Sequence, residues 1–409
     1  FWNAVDFKPQ RGSLEVQGAN VNFFSWSDEG PGLFFVHGHN AHAGWWDFIA
    51  PFFKSQYKVV ASDLSGMGDS DHREAYDCAT YVEELVKVAE KNELGGSHIH
   101  TNLSGAVDNE VASEEEAFQT IKKFLSYLPQ NVWKIPPVIP CDDPHDRRDE
   151  SLLSVIPRDR RQMYQVREII ESVTDAESFF EINPGYGRSL VIGLARLNGH
   201  AIGLMANDTY FDGGAVTATA SEKMMRFVDL CDTFHLPMVN LVDNPGFLIG
   251  VQAEEEGTVR IGSRALMAVY QSTIPWVSVI IRRCYGVAGG GHGRDGLNLR
   301  YAWPSADWGS LPIEGGVQAA YRRDIEAAAD PQARRRELED MLEEFRSPLR
   351  TAEAFGIEEI IDPRETRSIL CNWISLAYEI LPTQLGLSLI HISEPTRRYA
   401  ISYAVFCLK

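Results

Sequence analysis

The sequence predicts an α/β fold, and three features carry that reading. Apolar runs of strand length near 190–197, 201–206, 238–242 and 276–282 alternate with helix-length stretches near 221–234 and 257–271. Such alternation favours strands layered against helices. The last run contains Val279-Ile280-Ile281, the continuous β-branched pattern of a strand buried on both faces. Two of the runs then break into tight glycine turns, Asp243-Asn244-Pro245-Gly246-Phe247-Leu248 and Tyr285-Gly286-Val287-Ala288-Gly289-Gly290-Gly291.

Glycines placed directly after a buried strand let the backbone bend sharply and bring bare N–H groups close to a ligand. If a helix follows, those amides sit at its N-terminus and can hold an anion. The stretch 286–291 therefore reads as an oxyanion hole built from backbone amides. A plain flexible turn remains the alternative for the same residues.

Composition bounds the function. The 409 residues suffice for more than one domain, and 44% hydrophobic with 23% charged residues is ordinary for a globular protein. A formal net charge of −19 argues against a nucleic-acid surface. No apolar run approaches the roughly 20 residues that span a bilayer. The six cysteines (Cys78, Cys141, Cys231, Cys284, Cys371 and Cys407) lack metal-ligand spacing and read as reduced cytosolic thiols. The chain starts at Phe1 with no targeting peptide, which reads as a piece of a longer protein.

Residues 1–94 have a character of their own. Leu33-Phe34-Phe35-Val36 is a short buried strand followed at once by His37-Gly38. Trp45 to Phe53 has helix-like aromatic spacing, Tyr57 to Ala61 is a second strand, and Tyr81 to Glu90 is an amphipathic helix. Asp63-Leu64-Ser65-Gly66-Met67-Gly68-Asp69-Ser70 follows the second strand. This segment resembles the N-terminal part of an α/β-hydrolase, in which His-Gly helps shape an oxyanion hole. The G-x-S-x-G nucleophile elbow of that family occurs nowhere in the chain, so the segment is not expected to hydrolyse esters.

Further along, Glu114 to Leu128 reads as a helix, with Ala117, Phe118, Ile121, Phe124 and Leu125 apolar. Residues 132–162 are rich in Pro and Asp and read as a linker, with basic Arg158 to Arg161 on a solvated loop. Met163 to Val173 reads as a helix, and Arg322 to Glu344 as one charged surface helix.

Five pieces occur in one order: Leu94-Gly95-Gly96 with His100-Thr101 and Ser104-Gly105; Phe179-Phe180-Glu181; Glu222-Lys223 with Arg226-Phe227 and Cys231-Asp232; Asp243 with Pro245-Gly246-Phe247; and Tyr301-Ala302-Trp303-Pro304. With that order and spacing, residues 95–386 resemble the carboxyltransferase (β) subunit of biotin-dependent acyl-CoA carboxylases, the propionyl-CoA and acetyl-CoA carboxylase family. The resemblance implies four parts: a partial α/β-hydrolase segment (1–94), a remnant of the family's N-terminal domain with its linker (95–162), a C-terminal carboxyltransferase domain (163–386) and a foreign-looking tail (387–409). It also implies a crotonase/ClpP-like spiral of ββα units for the third part. Leu94-Gly95-Gly96 is common to both resemblances, which points to a chimeric join there. The tail resembles a translated sequencing-adapter read-through.

The resemblance implies transfer of a carboxyl group from carboxybiotin, carried on a separate protein, to the α-carbon of a short-chain acyl-CoA. The backbone amides of Gly286, Val287 and Ala288 would form the biotin-side oxyanion hole, with Gly246, Phe247, Gly289 and Gly290 lining the cofactor site and no metal. Val287 stands where the family more often has Gly, and its β-branched backbone preference bears on the loop geometry. Gly290 stands where an Asp often helps discriminate acyl-CoA length. Asp243 is expected to fix the following turn, and His292 to be a solvated loop residue.

A biotin carboxylase/biotin carrier α subunit, acyl-CoA and further copies of the chain are the implied partners, in the cytoplasm. The family's enolate-side Gly-Gly-Ala-Arg stretch is absent before Gly95, so these residues alone are expected to be inactive. The competing functions are an α/β-hydrolase derivative without its nucleophile and a non-catalytic biotin- or partner-binding module.

Overall fold

The computed structural model describes residues 8–30, 32–92, 94, 99–159, 162–290, 298–309, 317–318, 320–343, 346–354, 356–387 and 406–408. The chain divides into two compact units at His100/Thr101.

In the first unit, strands β1 (Gln10–Val16), β2 (Ala19–Ser25), β3 (Gly32–Val36) and β4 (Lys58–Ser62) form a sheet of order β1-β2-β4-β3. β2 is antiparallel to its neighbours, and β3 runs parallel to β4. The helix α1 (Cys78–Lys91) starts where Asp77 caps the Thr80 N–H. The aromatic run Trp45 to Phe53 makes two short 3₁₀ turns, Ala43–Trp46 and Ala50–Phe52, instead of a helix. Pro51 can sit at a helix start but cannot continue one, which separates the two turns. His37 is buried with Nε2 accepting the Leu64 N–H, and the Ser65 hydroxyl accepts from Arg73, which also pairs with Glu84. Both side chains are thus held in structural contacts.

The second unit is built on one large sheet. Strand β5 (Asn109–Val111) and helices α2 (Glu114–Tyr127) and α3 (Val166–Val173) precede it, α2 opening where the Ser113 hydroxyl caps the Glu116 N–H. The sheet then takes β6 (Phe180–Ile182), β7 (Leu190–Leu197) and β8 (His200–Asn207), followed by helix α4 (Ala218–Thr233) and strand β9 (Met238–Asn244). Helices α5 (Val251–Glu255) and α6 (Thr258–Gln271) lead to β10 (Trp276–Tyr285), and a one-turn helix α7 (Gly286–Gly290) follows directly. Strands β11 (Leu299–Ala302) and β12 (Asp307–Gly309), helices α8 (Arg322–Ala327), α9 (Pro331–Glu343) and α10 (Pro348–Glu353), strand β13 (Glu359–Ile360) and helix α11 (Thr366–Ile380) complete it. A short strand, β14 (Phe406–Leu408), pairs in parallel with β5.

Sheet order is β13-β11-β10-β9-β8-β7-β6, with β12 also on β10. The hairpins β6-β7-β8 are antiparallel, while β8, β9, β10, β11 and β13 run parallel. Every residue of β7 and β9 is buried, as the largely apolar runs predict, and the burial extends to the polar Arg196, Asn240, Asp243 and Asn244. One apolar cluster packs α3 and α11 onto a sheet face through Ile169, Ile170, Leu370 and Ile374, and a second packs α4 and α6 onto sheet residues through Phe227 and Ala265.

Two sequence expectations change here. The charged stretch 322–344 is two helices, because Pro331 lacks an N–H and starts a new helix instead of continuing the old one. In α2, Phe118 and Leu125 are exposed, and Phe124 with Tyr127 face the core.

Candidate functional site

The two glycine turns leave the sheet side by side, because β9 and β10 are neighbouring parallel strands. They pair from Met238↔Trp276 to Val242↔Ile280, and again at Asn244↔Cys284. Between those points Ile281, Arg282 and Arg283 stand opposite Asp243 alone, which makes a β-bulge. The bulge breaks strict in–out alternation, so two consecutive arginines reach one carboxylate. Arg282 Nε donates to Asp243 Oδ2 at 2.9 Å and Arg283 Nε to Oδ1 at 2.7 Å. The Tyr164 hydroxyl donates to Oδ2 at 2.8 Å. Asp243 is completely buried. Burial, reinforced by the Asp243 charge, pushes the Tyr164 hydroxyl well above its usual pKa, so it stays a donor.

Asp243 therefore anchors the bulge instead of fixing the turn after it. That turn is held by Asn244, whose Oδ1 accepts the Gly246 N–H at 2.9 Å. Gly246 takes φ +121°, a conformation closed to L side chains. Its carbonyl accepts the Val216 N–H, and the Leu248 N–H donates back to the Val216 carbonyl, each at 3.0 Å. Phe247 is thereby stitched alongside Val216, with its ring against Gly262 of α6, where a Cβ would come within 2.4 Å of it. Phe247 is a packing residue of the wall beside the turn.

Across from it, Gly286 takes φ +61° and turns the chain into α7. Val287 is not among the residues of positive φ, so its β-branched side chain imposes no strain, and it projects outward at 73% exposure. The left-handed step falls on Gly286 alone, which accommodates the departure from the family pattern. Ala288 is buried against the second core cluster. The Gly289 carbonyl accepts from Cys284 Sγ at 3.5 Å, and a Cβ on Gly289 would approach the Cys284 carbonyl carbon to 3.0 Å. The turn is thus pinned on its inner side, and the opening amides of α7 lack partners within the helix. Gly290 ends α7; Gly291 and His292 lie outside the described residues.

The segment Glu222-Lys223-Arg226-Asp232 holds the unit together instead of lining this site. Arg226 donates to the Gly105 carbonyl and to Asp108. Glu222 accepts from the Tyr186 hydroxyl, and Asp232 accepts the Thr273 N–H. Lys223, buried, donates to the Leu190 carbonyl at 2.7 Å. Burial drops its pKa to about 7, and burial also lifts Asp108 to about 6 despite Arg226.

For Lys223 the folded pKa lies below the unfolded value, so the buried charge destabilises the fold below pH 7. That cost fades as pH rises from about 7 toward 10.5. Lys223→Met is therefore expected to gain stability relative to the unmutated chain at pH 6 and to lose that advantage by pH 10. Urea unfolding at the two pH values checks this, and an advantage that grows with pH contradicts it.

Among the described residues no cluster of His, Cys, Asp or Glu could hold a metal ion, and no helix is long and apolar enough to cross a membrane. Cys78, Cys141, Cys231, Cys284 and Cys371 are free thiols.

The Carboxyl transferase domain family matches residues 79–381. The chain belongs to that family. Its relatives include the propionyl-CoA carboxylase carboxyltransferase subunit of Haloferax mediterranei, 39% identical over 285 residues, covering 68% of this chain and 55% of the relative. Another is the methylmalonyl-CoA carboxyltransferase 12S subunit of Propionibacterium freudenreichii, 36% identical over 292 residues, covering 70% and 55%. A solved transcarboxylase 12S structure, a hexamer with methylmalonyl-coenzyme A and methylmalonic acid bound, superposes with a TM-score of 0.65 at 33% identity, covering 72% of this chain and 58% of that one.

The mixed α/β fold of the second unit is thus the carboxyl transferase fold. The chain spans about half the length of the curated relatives it matches. The match begins at residue 79, so it takes in all of α1 but Cys78, and it covers the second unit as far as residue 381.

Within this carboxyl transferase domain the structure brings Gly246, Phe247, Gly286, Val287, Ala288, Gly289 and Gly290 together at the ends of β9 and β10. Sequence reasoning missed Tyr164 and the pair Arg282-Arg283. The available signal was two charges inside a strand otherwise buried, which demand a buried counter-ion.

Proposed function

We propose that these residues form the carboxybiotin side of a biotin-dependent carboxyltransferase acting on a short-chain acyl-CoA. The observation that carries this reading is the opening of α7 at Gly286, Val287 and Ala288 beside the Gly246 turn, at the ends of adjacent parallel strands. The residues present suit such a group: at Gly246 an added Cβ would meet only the Tyr285 carbonyl, at 3.9 Å, so the space before the turn is open. Carboxybiotin, when bound, supplies the activated carboxyl group. The backbone amides of Gly286, Val287 and Ala288 would hold the ureido oxygen of the bound carboxybiotin. As fixed dipoles they stabilise charge without reorganising. Gly246, Phe247, Gly289 and Gly290 shape the pocket, and no side-chain base is needed.

The short-chain substrate is supported by the propionyl-CoA and methylmalonyl-CoA named for the relatives. A biotin carrier subunit and a homo-oligomer in the cytoplasm complete the proposal, the oligomer supported by the hexamer of transcarboxylase 12S.

We further propose that residues 1–94 derive from an α/β-hydrolase, supported by the β1-β2-β4-β3 order with β2 antiparallel. Residues 95–162 would then be a remnant of the family's N-terminal domain with its linker, 163–386 the C-terminal domain with a crotonase/ClpP-like spiral, and 387–409 a foreign appendage. The end of the family match at 381 supports the last assignment.

The test uses the purified chain with free carboxybiotin. Accelerated release of CO₂, which leaves biotin after proton uptake, is the expected result, with no carboxylation of propionyl-CoA even when carboxylase, biotin carrier, ATP and bicarbonate are supplied. Absence of decarboxylation removes the biotin-side assignment. Turnover of propionyl-CoA overturns the restriction to one side of the reaction.

A further inference from the structure

A cleft of about 450 Å³ opens on the second unit beside the bulge, within the size range of small-molecule sites. Four segments distant in sequence meet there, and each brings an arginine or its counter-charge. Arg158 comes from the linker, Arg282 and Arg283 from β10, Asp307 from β12, and Arg346 from the turn before α10. Among the described residues that line or back the cleft, these four guanidiniums meet two carboxylates, Asp307 in the lining and Asp243 behind it. The excess of two positive charges lies in a chain whose net charge is −19.

Ion pairing accounts for three of the arginines. Arg282 and Arg283 share Asp243, and Arg346 pairs with Asp307 while its Nε also donates to the Tyr285 hydroxyl at 3.0 Å. These contacts fix the guanidiniums in place, so an incoming ligand meets a set cation frame. Arg158 is different. It is exposed at the rim and has no hydrogen bond or ion pair among the described residues. A protein structure that needed only neutralised ion pairs gains nothing from this fourth guanidinium.

We propose that this cleft binds a phosphate-bearing dianion, with Arg158 closing over it from the rim and Arg283 and Arg346 forming the floor. Guanidinium forks match phosphate oxygens in pairs, and two excess positive charges match a phosphate monoester or a diphosphate. The assignment is independent of carboxyl transfer, since neither Gly246 nor Gly286–Gly290 lines the cleft.

Calorimetric titration of the full chain with inorganic phosphate at low ionic strength tests it. Millimolar or tighter binding is expected, weakening at high salt and falling about tenfold or more in Arg158→Ala. Arg158 is exposed and unpartnered, so the variant folds; Arg158→Glu should abolish binding. Coenzyme A that competes with phosphate identifies the nucleotide phosphates as the source, and coenzyme A that fails to compete identifies free phosphate or a phosphorylated metabolite. No phosphate binding, or equal binding by the chain and both variants, overturns the proposal. Decarboxylation of carboxybiotin is expected to be unchanged in Arg158→Ala, so failure here is distinguishable from failure of the transferase reading.

Discussion

Asp243→Ala is expected to lower the unfolding free energy of the second unit by about 3–5 kcal/mol, the cost of leaving buried charge without its partner. Asp243 is completely buried and receives Arg282, Arg283 and Tyr164 together. Removing the carboxylate strands two guanidiniums, one of them on a side chain only 5% exposed. Arg282 is nearly enclosed at the junction of β9 and β10, the strands that present both glycine turns, while Arg283 keeps partial access to solvent through the cleft. Asp243→Asn keeps an acceptor and the shape while losing the charge, and should cost less than the alanine variant. Urea unfolding of the three proteins decides the matter. A loss below about 1 kcal/mol in Asp243→Ala would show that the arginines are neutralised or hydrated by other means.

Gly286→Val is expected to separate stability from chemistry. At φ +61° an L residue costs roughly 1–2 kcal/mol, and a β-branched one is the least tolerated. The chain relieves that strain by moving the residues after it, Val287 and Ala288, whose amides we assign to the developing oxyanion. Loss of one such donor reduces rates by about 10²–10³. Carboxybiotin decarboxylation should therefore fall by that factor while the unfolding midpoint shifts only modestly. A variant that retains the full rate would remove the α7 amides from the reaction. Val287 itself already has negative φ and an outward side chain, which places the sensitivity one residue earlier than the sequence suggests.

The sequence by itself determined the strands, the family and the two glycine turns. The runs 190–197 and 238–242 are apolar but for Arg196 and Asn240, and so dense an apolar pattern of strand length favours strands buried on both faces. Gly246 and Gly286 were legible because only glycine takes these conformations readily, so the residue type reports the backbone.

Tertiary structure alone decided what the charges do. Asp243 read as a turn-fixing residue until the bulge brought Arg282 and Arg283 to its two oxygens, and that register shift leaves no local mark in the sequence. Tyr164 is 79 positions from Asp243, and no periodicity links them. The arginine cleft gathers residues from 158 to 346, where each one alone reads as a solvated charge. Apolar burial is written in local pattern because it depends on which face a residue occupies. Charge pairing depends on which distant segment arrives opposite, and only the assembled sheet sets that distance.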